Sequence, residues 1–162
     1  MLRKLSNFET RILLIVAFSS CIALGGAYFS EYLGYKPCIL CLYQRIPYFF
    51  LLIISLIAIF TPKYFKNYIT LIMITLVCEI SIALYHVAIE HKLIAQTSQC
   101  LNSSVTSDNA EEALKQMQST EFVSCANPTL VIFNLSMAEW NVIFCLAIMI
   151  LIHKLKKRNV TR

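Results

Sequence analysis

Tyr68–Ile89 reads YITLIMITLVCEISIALYHVAI, 22 residues in which Glu79 is the sole acidic side chain and lysine and arginine do not occur. A helix of that length is roughly 33 Å long at about 1.5 Å per residue, enough to cross a hydrocarbon core of about 30 Å. Apolar runs recur on both sides of it, at Ile12–Phe29, Ile46–Phe60 and Trp140–Ile152. The run from Ile46 is short for a span. Starting it at Leu42 lengthens it and puts Arg45 in the first turn, at a depth an arginine tolerates by snorkelling. The last run is completed by Ser136–Glu139 before it and Lys154 after it. Lipid-facing backbone must satisfy its own hydrogen bonds, which favours helices. The expectation is therefore an all-α membrane protein, a four-helix transmembrane bundle forming one domain over residues 1–162. Its spans are expected at approximately 12–30, 42–61, 68–89 and 137–154, with outer loops at 31–41 and 90–136.

Composition supports this reading. The chain is 58% hydrophobic and 14% charged, with a mean hydropathy of +0.67. A water-soluble domain carries about 25% charged residues, so a soluble helical enzyme is disfavoured. Only 3 glycines and 4 prolines argue against a turn-rich β protein.

The net charge of +5 is unevenly placed: Arg3, Lys4, Arg11, Lys63, Lys66, Lys154, Lys156, Lys157, Arg158 and Arg162 fall on one side of the four spans. The positive-inside rule puts that side, and both termini, in the cytoplasm. The basic tail reads as a topology anchor; no nucleic-acid partner is expected. Ile12–Phe29 is read as a retained span, because Gly26-Ala27-Tyr28-Phe29-Ser30 lacks a clean small-x-small cleavage site.

Of 7 cysteines, Cys21, Cys78 and Cys145 lie inside apolar spans, where cysteine serves as a small hydrophobe. Cys38, Cys41, Cys100 and Cys125 fall in the outer loops, in a compartment that permits disulfides. They allow three pairings. Cys38-Ile39-Leu40-Cys41 has the spacing of a redox dithiol. A zinc site using all four is the weaker reading, and no metal is expected. A structural staple through Cys100 and Cys125 is another. A dithiol at the membrane surface together with a second pair in the long loop suggests a relay by thiol–disulfide exchange.

A helix starting near Cys41 would put that thiol at a positive helix terminus. Arg45, four residues on, shares its face and is placed to polarise the carbonyl of a lipid-soluble oxidant. His86 and His91, near the outer end of the third span, are candidate proton donors for such an acceptor. Glu79 is costly at mid-span, and the sequence offers it no secure partner. In the long loop, Asp108 could cap a short helix with Glu111 and Glu112 in its first turn. Leu130, Val131, Phe133, Leu135 and Met137 are expected to rest on the membrane surface.

Taken together, Pro37-Cys38-x-x-Cys41-x-Tyr43-x-Arg45, Glu90-His91, the pair Cys100 and Cys125, and Phe133–Asn141 resemble the DsbB family of bacterial inner-membrane disulfide bond formation proteins. The resemblance covers essentially the whole chain. It implies a four-helix quinone reductase that reoxidises a DsbA-like periplasmic thiol oxidase of thioredoxin type, with ubiquinone or menaquinone as the diffusible electron acceptor. It implies that Cys100 meets the reduced partner and that Cys125 is its disulfide mate. Cys38 and Cys41 would be the quinone-proximal pair, with Arg45 beside Cys41. Three residues depart from the family pattern: Gln44 stands for an acidic residue, and Ala88 and Asn134 stand for glycines. The competing reading is a structural or chaperone-like four-span protein with permanent loop disulfides. A reductase running electrons outward is a third, since a C-x-x-C serves at very different potentials.

Overall fold

The computed structural model describes residues 6–95, 124–128 and 130–160, with only the backbone at 158–160. Cys100 and the segment around Asp108 lie outside the described residues. Helix α1 (Asn7–Tyr32) starts where Ser6 and Glu9 form a reciprocal capping box, Glu9 N donating to Ser6 Oγ and Ser6 N to Glu9 Oε2. It ends in a Schellman motif: Gly34 N donates to Glu31 O and Tyr35 N to Ser30 O. That motif needs a left-handed residue, and Gly34 supplies it at φ 93°.

The second span is split. Helix α2 (Ile39–Tyr43) and helix α3 (Arg45–Phe60) are separated by a turn at Gln44. Pro47 has no N–H for the Tyr43 carbonyl four residues back, and its ring crowds that carbonyl. The start at Ile39 also corrects the expected start near Cys41. Cys38, not Cys41, is the residue capping the helix.

A 3-10 turn at Pro62–Tyr64 leads into α4 (Phe65–Glu90). A second Schellman motif closes α4, with Lys92 in the left-handed region at φ 59°. Then comes a two-stranded hairpin, β1 (Val131–Ile132) against β2 (Leu135–Ser136), in register Val131 with Ser136 and Ile132 with Leu135. Its turn residues Phe133 and Asn134 have φ 53° and 63°, the two positive values a primed hairpin turn requires. Asparagine is among the few residues that tolerate this region, which explains its presence where the family pattern has glycine. Helix α5 (Met137–Val160) follows.

The fold is a four-helix bundle. α1 packs on α3, α3 on α4, α4 on α5, and α5 back on α1. Four helical spans, Asn7–Tyr32, Ile39–Phe60, Pro62–Glu90 and Met137–Lys157, are long and apolar enough to cross a membrane. Inside sit Leu13, Val16, Leu51, Ile72, Leu76 and Ile152. Outside, Phe18 is 69% and Phe60 80% exposed, an apolar exterior suited to lipid. Of the three cysteines inside the spans, Cys21 and Cys78 face outward and only Cys145 is buried.

The interior also holds polar groups. Glu79 is fully buried, and Asn141 Nδ2 donates to its Oε1 at 2.5 Å. Asn141 Oδ1 accepts from the Tyr48 hydroxyl, which lies 3.1 Å from Cys145 Sγ. α3, α4 and α5 are thereby tied through one buried chain. Hydrogen bonds of this kind join helices where lipid offers no hydrophobic drive to association.

Candidate active site

The C-x-x-C is shaped by its position at a helix start. Cys38 is extended (φ −83°, ψ 166°), and its Sγ accepts from Cys41 N at 3.2 Å as a side-chain N-cap. One helical turn brings the two sulfurs to 2.8 Å. From α4, His86 presents Nε2 3.4 Å from Cys38 Sγ. The other ring nitrogen, Nδ1, lies 3.5 Å from Gln44 Nε2. One turn beyond, Glu90 Oε1 is 3.5 Å from His86 Nε2.

Cys125 joins this group. Its side chain hydrogen-bonds with Cys38, its backbone with His86, and it packs with Leu40 and Ile89, 1% exposed. The hydrogen bond with Cys125, then that with Cys41, then burial push the Cys38 thiol well above the usual thiol range. These outweigh the Cys41 N–H, which favours the thiolate.

The segment carrying Cys125 leads into the end of the bundle where α4 stops and α5 starts, and this end is stitched together. Ser136 caps α5 in a second capping box, with Glu139 N donating to Ser136 Oγ and Ser136 N to Glu139 Oε2. Ser136 Oγ also donates to Glu90 Oε2 at 2.5 Å, linking α4 to α5.

Arg45 opens α3. Its Nη2 donates to Glu31 Oε1 on α1 at 2.6 Å, and its guanidinium carbon lies 4.8 Å from the Tyr28 ring centroid. Arg45 Nε is buried and has no hydrogen-bond partner among the described residues. An orphaned buried donor is costly.

These groups border a cavity of about 350 Å³ whose wall is mainly apolar. Cys38, Cys41, Arg45, His86 and Cys125 all line it. On α1 the wall is made by the small residues Gly26 and Ala27. The volume falls within the range of small-molecule sites, about 300–1,000 Å³.

Five of the seven residues singled out from sequence thus converge here. Cys100 lies outside the described residues. His91 is not among the cavity residues: it caps the end of α4, exposed, with Nε2 2.9 Å from Glu139 Oε1. Sequence reading did not single out Gln44, Glu31, Glu90 or Ser136 for the roles they take here. Ser136-x-x-Glu139 carries the capping-box signature that would have placed the start of α5. The other three depend on contacts between helices.

The model of the family described as disulfide bond formation protein DsbB matches residues 9–154. The uncharacterized protein RP370 of Rickettsia prowazekii (strain Madrid E) is 32% identical over 140 residues, 85% of this chain and 81% of that protein. Disulfide bond formation protein B of Haemophilus ducreyi is 38% identical over 63 residues, 39% of this chain and 35% of its own length. No solved structure matches.

Proposed function

The chain belongs to the DsbB family of disulfide bond formation proteins, and from that we propose that it is a membrane thiol oxidase. It reoxidises a DsbA-like periplasmic protein of thioredoxin type and passes the electrons to membrane quinone. The carrying observation is that Cys38, Cys41, Cys125 and Arg45 line one mainly apolar cavity. The basic flanks support a bacterial inner membrane location with cytoplasmic termini and periplasmic loops.

The reduced partner attacks the Cys100–Cys125 disulfide and leaves as a disulfide, with Cys100 and Cys125 as thiols. Cys125, already against Cys38, attacks the Cys38–Cys41 disulfide. Cys125 hydrogen-bonds with Cys38, so its attack falls on Cys38 and releases Cys41. Cys100 attacks Cys125 to re-form the loop disulfide and release Cys38; Cys38 and Cys41, which line the cavity, then close their own disulfide and give up two electrons and two protons. A bound quinone supplies a sink for two electrons and two protons. Arg45 and His86 border the same space, and the positive charge of Arg45 would favour electron density on a quinone oxygen. The apolar wall excludes water and strengthens these contacts. Net, two partner thiols become one disulfide and one quinone becomes quinol.

The test is quinone reduction by the purified protein with a reduced thioredoxin-type oxidase. One quinone should be consumed per partner disulfide formed, and none by Cys41→Ser. If the partner is not oxidised, and alkylation traps no mixed disulfide, the loop cysteines are permanent bonds and the reading fails.

A further inference from the structure

The outer end of the bundle gathers ligand chemistry that the relay does not use as such. Cys38 Sγ, Cys41 Sγ and a ring nitrogen of His86 all lie within 4.8 Å of one another. We propose that the reduced site binds one thiophilic divalent cation, zinc by its chemistry, through Cys38, Cys41 and His86, and that the bound metal holds the site in its reduced, inactive state. Metal binding is independent of the function proposed above; the loss of activity rests on that reading.

The distances suit the ion. Zinc takes sulfur at about 2.3 Å and imidazole nitrogen at about 2.0–2.1 Å in tetrahedral geometry. Those bonds set sulfur and nitrogen ligands roughly 3.5 Å apart and two sulfurs roughly 3.7 Å apart. Cys38 Sγ and His86 Nε2 are already at 3.4 Å. The sulfurs, at 2.8 Å, need to open by roughly 1 Å, a rotation of the Cys41 side chain. Two cysteines one helical turn apart are a common half-site for zinc. His86 reaches them from a different helix, so the ligand set is not the four-cysteine arrangement.

Charge and surroundings agree. Two thiolates and a neutral imidazole cancel the charge of a divalent ion, so the complex is neutral where Cys38 is 4% and His86 2% exposed. Hard cations want oxygen ligands, and sulfur with imidazole selects softer ones. A metal-bound histidine holds its second nitrogen on an acceptor. Here the Gln44 side-chain amide faces Nδ1 at 3.5 Å, and turning that amide brings its oxygen to the Nδ1–H. The fourth position is open to the cavity, beside Cys125 and Glu90.

Binding replaces the two thiol protons with one metal ion and moves no electrons. The Cys38–Cys41 disulfide offers no thiolate, so only the reduced site is a ligand set. A ligand that binds one state alone draws the equilibrium toward that state.

The experiment uses the full-length protein in detergent, anaerobically, with Cys21 and Cys78 changed to serine, and the cobalt titrations are repeated with Cys100→Ser and Cys125→Ser added so that the loop pair supplies no ligand. Cobalt(II) is the probe. The reduced protein should take up one equivalent and show the intense visible bands of tetrahedral cobalt with sulfur-to-metal charge transfer. Zinc should bleach them, and His86→Ala should weaken binding at least tenfold. The disulfide form of the same protein should show no such bands; this comparison needs no variant at the site. Equal uptake by both redox forms, or a reduced form that takes up no cobalt, overturns the proposal. Zinc should also stop quinone reduction, and a chelator should restore it. Cobalt uptake without any quinone reductase activity would sink the function proposed above and leave the metal site standing.

Discussion

Arg45 Nη2 lies 2.6 Å from Glu31 Oε1, so the arginine bordering the cavity is already half of an ion pair between α3 and α1. Its charge is partly neutralised before any acceptor arrives. Its Nε–H is buried and unpartnered among the described residues, and its remaining N–H groups are left to an acceptor. Arg45→Met should lower quinone reduction by about tenfold to a hundredfold, less than or equal to the loss of one preorganised donor at a developing oxyanion, with weaker apparent quinone affinity. Lysine should rescue only in part, lacking the planar fork. Stopped-flow measurement of both half-reactions checks this. Exchange with the thiol partner should change little; if insertion drops while quinone reduction per folded molecule is unchanged, Arg45 is an anchor.

Cys125 hydrogen-bonds with Cys38. Cys41→Ser should therefore accumulate a Cys38–Cys125 disulfide, found by non-reducing peptide mapping. Cys125→Ala should instead accumulate a mixed disulfide between Cys100 and the partner. A mixed disulfide through Cys38 would reverse the order of the relay.

The cavity wall on α1 can be filled without disturbing the backbone. A side chain added at Gly26 meets nothing within 4 Å at its Cβ. Gly26→Leu should leave thermal stability within about 1 kcal/mol, since leucine is the better helix former, and reduce quinone turnover several-fold or more. Unchanged turnover would move the acceptor site elsewhere.

Cys38 is held as a thiol by its hydrogen bonds and burial. A raised thiol pKa means the thiolate forms only at higher pH. In the reduced, chelator-treated protein, iodoacetamide labelling of Cys38 should therefore stay slow at neutral pH and rise only above the ordinary thiol pKa of about 8.5. Labelling of Cys38 as fast as a free thiol near neutrality would contradict the geometry.

The spans were legible because hydropathy over some 20 residues outweighs local detail. The motif from Cys38 to Arg45 was legible because its members share one helical stretch. His86 beside Cys38 was not: 48 residues separate them, and their meeting depends on the register of α4 against α2. The same holds for Glu31, whose pairing with Arg45 joins two helices. The break at Gln44 was within reach, since Pro47 stands in the sequence. The hairpin turn at Phe133-Asn134 was not, because Phe133 is a poor indicator of a positive φ.

Asn141 follows Glu79 by 62 residues, which orders events at the ribosome. At about 5–20 residues per second, roughly 3–12 s pass between making the carboxyl and making the amide that binds it. During that interval α4 carries an ionisable group whose placement at mid-helix costs an aspartate about 2.5–3.5 kcal/mol. The last span acts as a late clasp: until Asn141 is made, the Glu79 carboxyl lacks the amide that binds it.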